Sequence, residues 1–434
     1  FQTVICDMTA LALANASMLD EGTAAAEAMT LARRSSKASD DAVFLIEEHV
    51  HPQTKAVVIT RAKPLGITVV EVDSGHVARD GYDGEFFGLL VQYPDTTGEV
   101  CDYSKVTEYA HSQGALVIAA TDLLALTLLK APGEWGADIA VGSAQRFGIP
   151  MGFGGPHAGF MAVRTGLERS LPGRLVGQSV DSHGNPAFRL ALQTREQHIR
   201  RDKATSNICT AQVLLANMSA FYAMWHGPKG LQQIATRIHG FASRLQKSSG
   251  SRNGIVFDTV TVDVKNADAI HAAAKAKRIN FGRVSDTAIR ISFDETTTEK
   301  TFGVVLEILG LSDVAASPIS DSVVRSSKYL QHPVFNTYFS ETSMLRYLRT
   351  LADRDLALDR TMIPLGSCTM KLNATTEMEA VTWPEFASLH PFAPAEQTRG
   401  SRLLIDQLSQ WLVEITGYDA VSLQPNAGSQ GEFA

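Results

Sequence analysis

The chain has 434 residues, 44% of them hydrophobic and 20% charged, the composition of a globular protein with a sizeable core. At roughly 100–200 residues per domain it has room for about three. Its 39 basic and 46 acidic residues leave a net charge of −7, which excludes the basic footprint of a nucleic-acid binder.

The chain opens with Phe1, Val4, Ile5 and Met8, apolar at helical spacing. Its first residues, FQTVICDMTALA, carry no Met, basic n-region or transit-peptide composition, and its last, QPNAGSQGEFA, stop abruptly. A fragment at both ends is therefore expected. Thr23 to Arg34 is Ala-rich and predicts a helix entered after Asp20-Glu21. Short β-branched runs at 56–60, 67–73, 86–93, 115–121, 137–143 and 159–163 predict strands. These runs are mostly apolar rather than alternating, so the sheet should be buried on both faces. Helical segments between them predict parallel strands with crossovers, and such sheets work at their carboxyl ends. Ala115 to Leu129, 15 residues with Asp122 inside, falls short of the ~20 a membrane span needs.

Residues 204–250 read as helical, with Leu231, Ile234, Ile238, Phe241 and Leu245 on one face. A smaller α/β unit follows: strand 255–264, helix 267–278, strand 288–293 and helix 298–309. Residues 312–328, rich in Ser and Ala with one Pro, read as a linker before a new unit at Tyr329. Cys6, Cys101, Cys209 and Cys368 are scattered, with no CxxC and no zinc-finger spacing. Neither a disulfide scaffold nor a metal site is expected, and reduced thiols are.

The two ends of the chain resemble each other. Phe1, Val4, Ile5 and Met8 match Leu408, Trp411, Leu412 and Ile415, each 407 residues on. Thr9-Ala10 matches Thr416-Gly417, Leu13-Ala14 matches Ala420-Val421, and Gly22-Thr23 matches Gly428-Ser429 after a one-residue gap. Either these are two unrelated amphipathic helices leading into loops, or the chain holds one α/β half and the opening of another. In the second copy Asn426, Ala427, Gly428, Ser429, Gln430 and Gly431 form a small-residue turn opening a helix, suited to a phosphate. An ordinary loop and N-cap is an equal reading. In the first copy Asp20 and Glu21 stand there, where carboxylates would repel a phosphate yet start a helix well.

Several long stretches resemble the P protein of the glycine cleavage system, a family of pyridoxal-phosphate-dependent glycine decarboxylases. They are residues 14–29 (ANASMLDEGTAAAEAM), 133–164, 170–212, 362–378 (MIPLGSCTMKLNATTEM) and 423–434 (LQPNAGSQGEFA). One departure is Phe339 in NTYFSET, where a His is expected. The resemblance implies an aspartate-aminotransferase-like, type I fold in two homologous halves paired as a pseudo-dimer, with the cofactor lysine in the second half alone. Residues 1–225 would then be the large domain of a degenerate first half and 226–311 its small α/β domain. Residues 312–328 would be the linker, and 329–434 the start of the catalytic half.

It also implies an activity: glycine decarboxylation with transfer of the aminomethyl group to the lipoyl arm of H protein. The assembly would be a homodimer or a two-half heterotetramer, mitochondrial in a eukaryote and cytoplasmic in a bacterium. Gln145, ahead of Gly152-Phe153-Gly154-Gly155, stands where the family's lysine would be, and a carboxamide cannot form a Schiff base. Gln145 lies 123 residues past Gly22, so the working lysine is expected near position 551, beyond this chain. Asn426 to Gln430 would cradle the phosphate, and Cys368, Thr369 and Lys371 would line the site. A structural loop with a buried Cys is the alternative for the latter three. His157 is read either as reaching the partner half's site or as a structural His. Asp122, at a strand end where active relatives hold the pyridinium nitrogen, is read as a relic or a cap in preference to a solvated loop residue. Arg195 to Lys203 is read as a solvated helix face, or else as a docking patch for an acidic lipoyl carrier. Two rival functions stay open: another type I decarboxylase, and a non-catalytic structural partner of the lysine-bearing half.

Overall fold

A computed structural model describes residues 1–195, 199–201, 204, 212–251, 254–354, 360, 362, 374–426 and 428–433. They divide into two compact units, Phe1–Gly148 with His157–Glu341, and Ile149–Pro156 with Thr342–Ala434.

The first unit begins with α1 (Gln2–Thr9), β1 (Leu13–Ala14), α2 (Glu21–Ser35) and β2 (Val43–Glu47). Next come α3 (Pro52–Ala62), β3 (Val69–Val72), α4 (Ser74–Asp80) and β4 (Phe86–Tyr93). Then follow α5 (Ser104–Ser112), β5 (Leu116–Thr121), β6 (Ile139–Ser143) and β7 (Gly159–Val163). The seven strands form one sheet in the order β1-β7-β6-β5-β4-β2-β3. Strands β3, β2, β4, β5 and β6 run parallel, while β7 opposes β6 and β1 opposes β7. Every residue of β4 and β5 is buried, as apolar strands covered on both faces must be. Small side chains let α2 lie close to this sheet: Ala24, Ala25, Ala28 and Ala32 are all fully buried. The helix starts at Asp20, whose carboxylate accepts the Thr23 N–H at 2.8 Å, with the Thr23 hydroxyl completing the capping box.

Two expectations for this region fail. The run at 56–60, expected as a strand, lies inside helix α3. Pro52 opens that helix, and Thr54, Val58 and Ala62 bury one face at four-residue spacing. Packing of that stripe outweighs the β-branched propensity of Val57, Val58 and Ile59. Strand β2 has no counterpart among the expected strands; it lies between the edge strand β3 and β4, with Phe44, Leu45 and Ile46 fully buried.

A hairpin, β8 (Val176–Val180) and β9 (Pro186–Leu190), follows, with Phe188 79% exposed. Helix α6 (Val213–Ser249) carries a break at Gly227, φ 61° and ψ 176°, just before Pro228. The expected domain boundary at 225–226 falls beside that break. The smaller α/β part is β10 (Thr259–Asp263), α7 (Ala267–Ala276), β11 (Gly282–Ser285), β12 (Ala288–Ser292) and α8 (Glu299–Leu309), an antiparallel sheet in the order β10-β12-β11. It joins the large sheet at Gly98, φ 96°, where a Cβ would lie 2.1 Å from the Thr259 carbonyl oxygen. Thr261 Oγ1 also donates to the Thr97 carbonyl at 2.8 Å. The 312–328 stretch is pinned rather than loose: Arg325 donates to the carbonyls of Met8, Leu126 and Asp7 at 2.7–2.8 Å.

In the second unit, α9 (Glu341–Ala352), α10 (Thr375–Glu379), α11 (Pro384–Ala387), α12 (Arg399–Thr416) and α13 (Gly428–Phe433) follow one another. The glycine-rich segment Ile149–Pro156 is tied here, with the Gly152 and Phe153 N–H groups donating to the carbonyls of Ala387 and Leu389, both at 2.9 Å.

Candidate functional site

The parallel strands of the first unit deliver their carboxyl ends to one edge, where the chain places Glu47, Asp73, Asp95, Asp122 and the Gln145-Arg146 pair. Asp122 follows β5 and is held twice over. Its Oδ1 accepts the N–H groups of Leu124 (2.7 Å) and Ala125 (3.3 Å), the cap role expected of it. Its Oδ2 takes Arg146 Nη1 at 2.9 Å. The same Nη1 reaches Asp258 Oδ2 at 2.5 Å, from the residue just before β10. Phe257 places its ring 5.9 Å from the guanidinium carbon. Burial works against the Arg146 charge, but the carboxylates of Asp122 and Asp258 outweigh it and push its pKa above the usual arginine value. Gln145 is half-buried, its backbone N–H donating to Ser143 Oγ at 3.2 Å.

An acidic hollow of about 580 Å³ is lined by Glu47, His49, Asp95, Cys101 and Tyr103 among others. Glu47 is 4% exposed and accepts from the His49 backbone at 2.7 Å, with the His49 ring Nδ1 at 3.1 Å. Burial pushes the Glu47 carboxyl up. At His49 burial opposes the charge, but Glu47 and its acidic neighbours prevail and raise the imidazole. Glu47, Glu48 and His49 bring ligand-type atoms within 4.8 Å of one another, and the hydrogen bonds between Glu47 and His49 account for this turn. Burial lifts the Cys101 thiol to about 12 and Cys6 to about 11, so neither is a thiolate nucleophile at neutral pH.

The expected site residues fall in different places. Cys368, Thr369, Lys371 and Ala427 lie outside the described residues. His157 is half-buried in the first unit. In the second unit, Asn426, Gly428 and Gln430 are exposed, and the Asn426 N–H donates to Gln430 Oε1 at 2.7 Å; Gly428, Ser429 and Gln430 open the six-residue α13. Phe339 packs where Gly227 lacks a side chain: a Cβ there would lie 2.8 Å from its ring. The basic run is no solvated helix face at its start. Arg195 sits in a 3₁₀ turn, 3% exposed, donating to the carbonyls of Leu171 and, at 3.0 Å, Gly173; Glu196, Gln197, His198, Asp202 and Lys203 lie outside the described residues. Two buried carbonyls draw this guanidinium inward, because an unpaired buried C=O is costly. Arg146 and Asp258 went unrecognised. The sequence signal for Arg146 is its place next to Gln145; its partner is 112 residues away and leaves no signal at all.

With the amine expected at position 145 and the phosphate expected at the start of α2, the residues present are a poor fit for pyridoxal phosphate in the first unit. Gln145 offers no amine, Asp122 is already paired with Arg146, and Asp20 with Glu21 opens α2 where a phosphate would need free N–H groups.

The family model of the glycine cleavage system P-protein matches residues 1–309. The chain is 56% identical over 445 residues to glycine dehydrogenase (decarboxylating) of Stenotrophomonas maltophilia strain R551-3, covering 100% of itself and 46% of that protein. The same enzyme of Bordetella avium strain 197N is also 56% identical, over 452 residues, with 47% of its length covered. The chain thus spans about half the length of the curated relatives it matches. A crystal structure of an inhibitor-bound glycine decarboxylase (P-protein) of the glycine cleavage system aligns at TM-score 0.65 and 35% identity, covering 71% of this chain and 73% of that one. The C-DES K223A mutant, with glycine covalently linked to its PLP cofactor, aligns at TM-score 0.51 over 72% of this chain and 84% of its own. At 12% identity that likeness carries the fold alone, which is the expected aspartate-aminotransferase-like, type I arrangement.

Proposed function

Since the chain belongs to the glycine cleavage system P-protein family, we propose that it is the non-catalytic half of a glycine dehydrogenase (decarboxylating) together with the opening of the catalytic half. The whole protein, in this reading, decarboxylates glycine with pyridoxal 5′-phosphate and passes the aminomethyl group to the lipoyl arm of H protein. The relatives named above are bacterial, which favours the cytoplasm over a mitochondrial matrix.

The observation that carries the reading is identity of 56% along the entire chain, supported by a carboxamide at position 145, where the resemblance expects the lysine, and by the pairing of Asp122 with Arg146. A carboxamide cannot supply the amine, so the chemistry belongs to residues that follow. What this chain contributes in the first unit is an α/β body. In the second unit it contributes candidate lining groups: Asn426 to Gln430 for a phosphate, and Cys368, Thr369 and Lys371 for the substrate path. His157 is proposed as a structural histidine of the first unit. The division into a large domain to residue 225, a small one to 311, a linker to 328 and a second half from 329 is part of the same proposal.

The test is exchange of labelled CO₂ into glycine by the full-length protein with H protein and pyridoxal phosphate. Exchange that depends on both glycine and H protein supports the reading; exchange with another amino acid points to a different type I decarboxylase. This chain by itself, treated with pyridoxal phosphate and borohydride, should retain no stoichiometric pyridoxyl-lysine. Retention of one equivalent would overturn the assignment of the first half as non-catalytic.

A further inference from the structure

The carboxyl edge of the parallel strands in the first unit holds a cation, Arg146. Arg146 Nη1 bridges two carboxylates that arrive from different parts of the unit, Asp122 from the end of β5 and Asp258 from the entry to β10. Asp122 is not free to turn away, because its Oδ1 is engaged by the backbone N–H groups of Leu124 and Ala125. Oδ2 is therefore aimed at whatever fills this position. Glu295 adds a third negative charge to the field around the guanidinium. Without Arg146, two partly buried carboxylates would face each other uncompensated, so the position demands a cation.

The guanidinium is a poor match to the donors required. Among the described residues its Nε and Nη2 are buried with no hydrogen-bond partner. A group with five N–H donors sits in a place that offers acceptors to one nitrogen. Of the two acceptors, Asp122 Oδ2 is the one fixed in direction by its backbone-held partner oxygen, and a protonated ring nitrogen with its single N–H would need that oxygen, which Arg146 occupies.

We propose that Arg146 is a built-in occupant of the first half: its guanidinium takes the Asp122 carboxylate and closes the strand-end position to a pyridinium-type ring. The inference rests on the reading of Gln145 as the residue at the amine's place. It adds a second barrier to the missing amine, so restoring the amine alone does not reopen the site.

The experiment uses the full chain carrying Gln145→Lys, with and without Arg146→Ala. The probe is pyridoxal, chosen without its phosphate because Asp20 and Glu21 open the neighbouring helix. The introduced amine adds to the probe's aldehyde, water leaves, and hydride from borohydride reduces the C=N bond to a secondary amine. Peptide mass spectrometry then reads labelling at position 145. Gln145→Lys alone is expected to label no faster than exposed lysines, and the double variant at least ten-fold faster. Adding Asp122→Asn to the double variant should return the rate to that of the single one. Equal labelling of the single and double variants overturns the proposal, as does a double variant that labels only like surface lysine, or insensitivity to Asp122→Asn. If loss of Arg146 unfolds the chain, Asp258→Asn is added to remove one of the uncompensated charges, and the same ten-fold gain is required. Labelling does not involve glycine turnover. Failure of the exchange assay on the full-length protein would therefore sink the family activity and leave this ratio intact, and the converse also holds.

Discussion

Helix α1 and helix α12 carry the same apolar pattern 407 residues apart and end in the same way. Thr9 Oγ1 donates to the Ile5 carbonyl and Thr416 Oγ1 to the Leu412 carbonyl, both at 2.7 Å. Each helix stops at a left-handed residue, Ala10 at φ 56° and Gly417 at φ 73°. Beyond that point they part. Val4, Ile5 and Met8 are fully buried, while Trp411 and Ile415 are 58% and 79% exposed. After α1 the chain pairs Leu13 with Val163 of the sheet and then enters α2 through the Asp20 cap. After α12, residues 417–426 form no strand before α13 begins. Local sequence is enough to wind and stop an amphipathic helix. Burial of its stripe, worth roughly 1.5–3 kcal/mol per large side chain, depends on a partner surface that the helix does not encode.

The contrast can be broken by matched substitutions. In this 434-residue chain, Met8→Ala is expected to cost about 3 kcal/mol in chemical denaturation, and Ile415→Ala no more than about 0.5 kcal/mol. A comparable loss at both positions would mean that α12 is packed as α1 is. Gly98→Ala combines a φ of 96° with a Cβ 2.1 Å from the Thr259 carbonyl, and should cost about 2–3 kcal/mol by separating the small sheet from the large one. Gly417→Ala, with φ 73° and nothing within 4 Å, should cost only about 1 kcal/mol.

The acidic hollow of the first unit supplies a pH-dependent comparison. Glu47 and His49 both hold their protons more tightly than usual. The stability linked to those protons is complete below their unfolded pKa values and is lost as pH rises through the folded ones. Glu47→Gln removes the buried charge, so its melting temperature should exceed the parent's at pH 8 and fall to or below it at pH 5. A constant offset across that range would show that the two groups are not linked to folding. The smallest effect is a gain: Ala10→Gly relieves a left-handed alanine at the end of α1 and should stabilise by about 0.5–1 kcal/mol in thermal unfolding, whereas Gly417 already has that relief.

Much of the fold was legible in local pattern. The Ala-rich run from Thr23, the apolar strands at 86–93 and 115–121, and the stripe through Leu231 to Leu245 each became the expected element, give or take a few residues. Helical and strand periods are properties of backbone geometry within a few residues, so a short window suffices to see them. The run at 56–60 misled because its β-branched content is a weak preference, and packing along Thr54, Val58 and Ala62 overrode it. Of the site, Gln145 and Asp122 could be singled out from motif and strand end, and Asp122 does cap the turn that follows it.

What the sequence alone determined was therefore the set of helices and buried strands, the doubled helix–loop–helix pattern and the carboxamide at position 145. Only the tertiary structure decided that Arg146 bridges Asp122 and Asp258, that Arg195 turns inward, that Arg325 ties the linker to α1, and that the apolar stripe of α1 is core. Those outcomes depend on which charges and carbonyls meet after chain segments more than a hundred residues apart have been brought together, or on surfaces supplied by other segments. No period or propensity along the chain records such meetings.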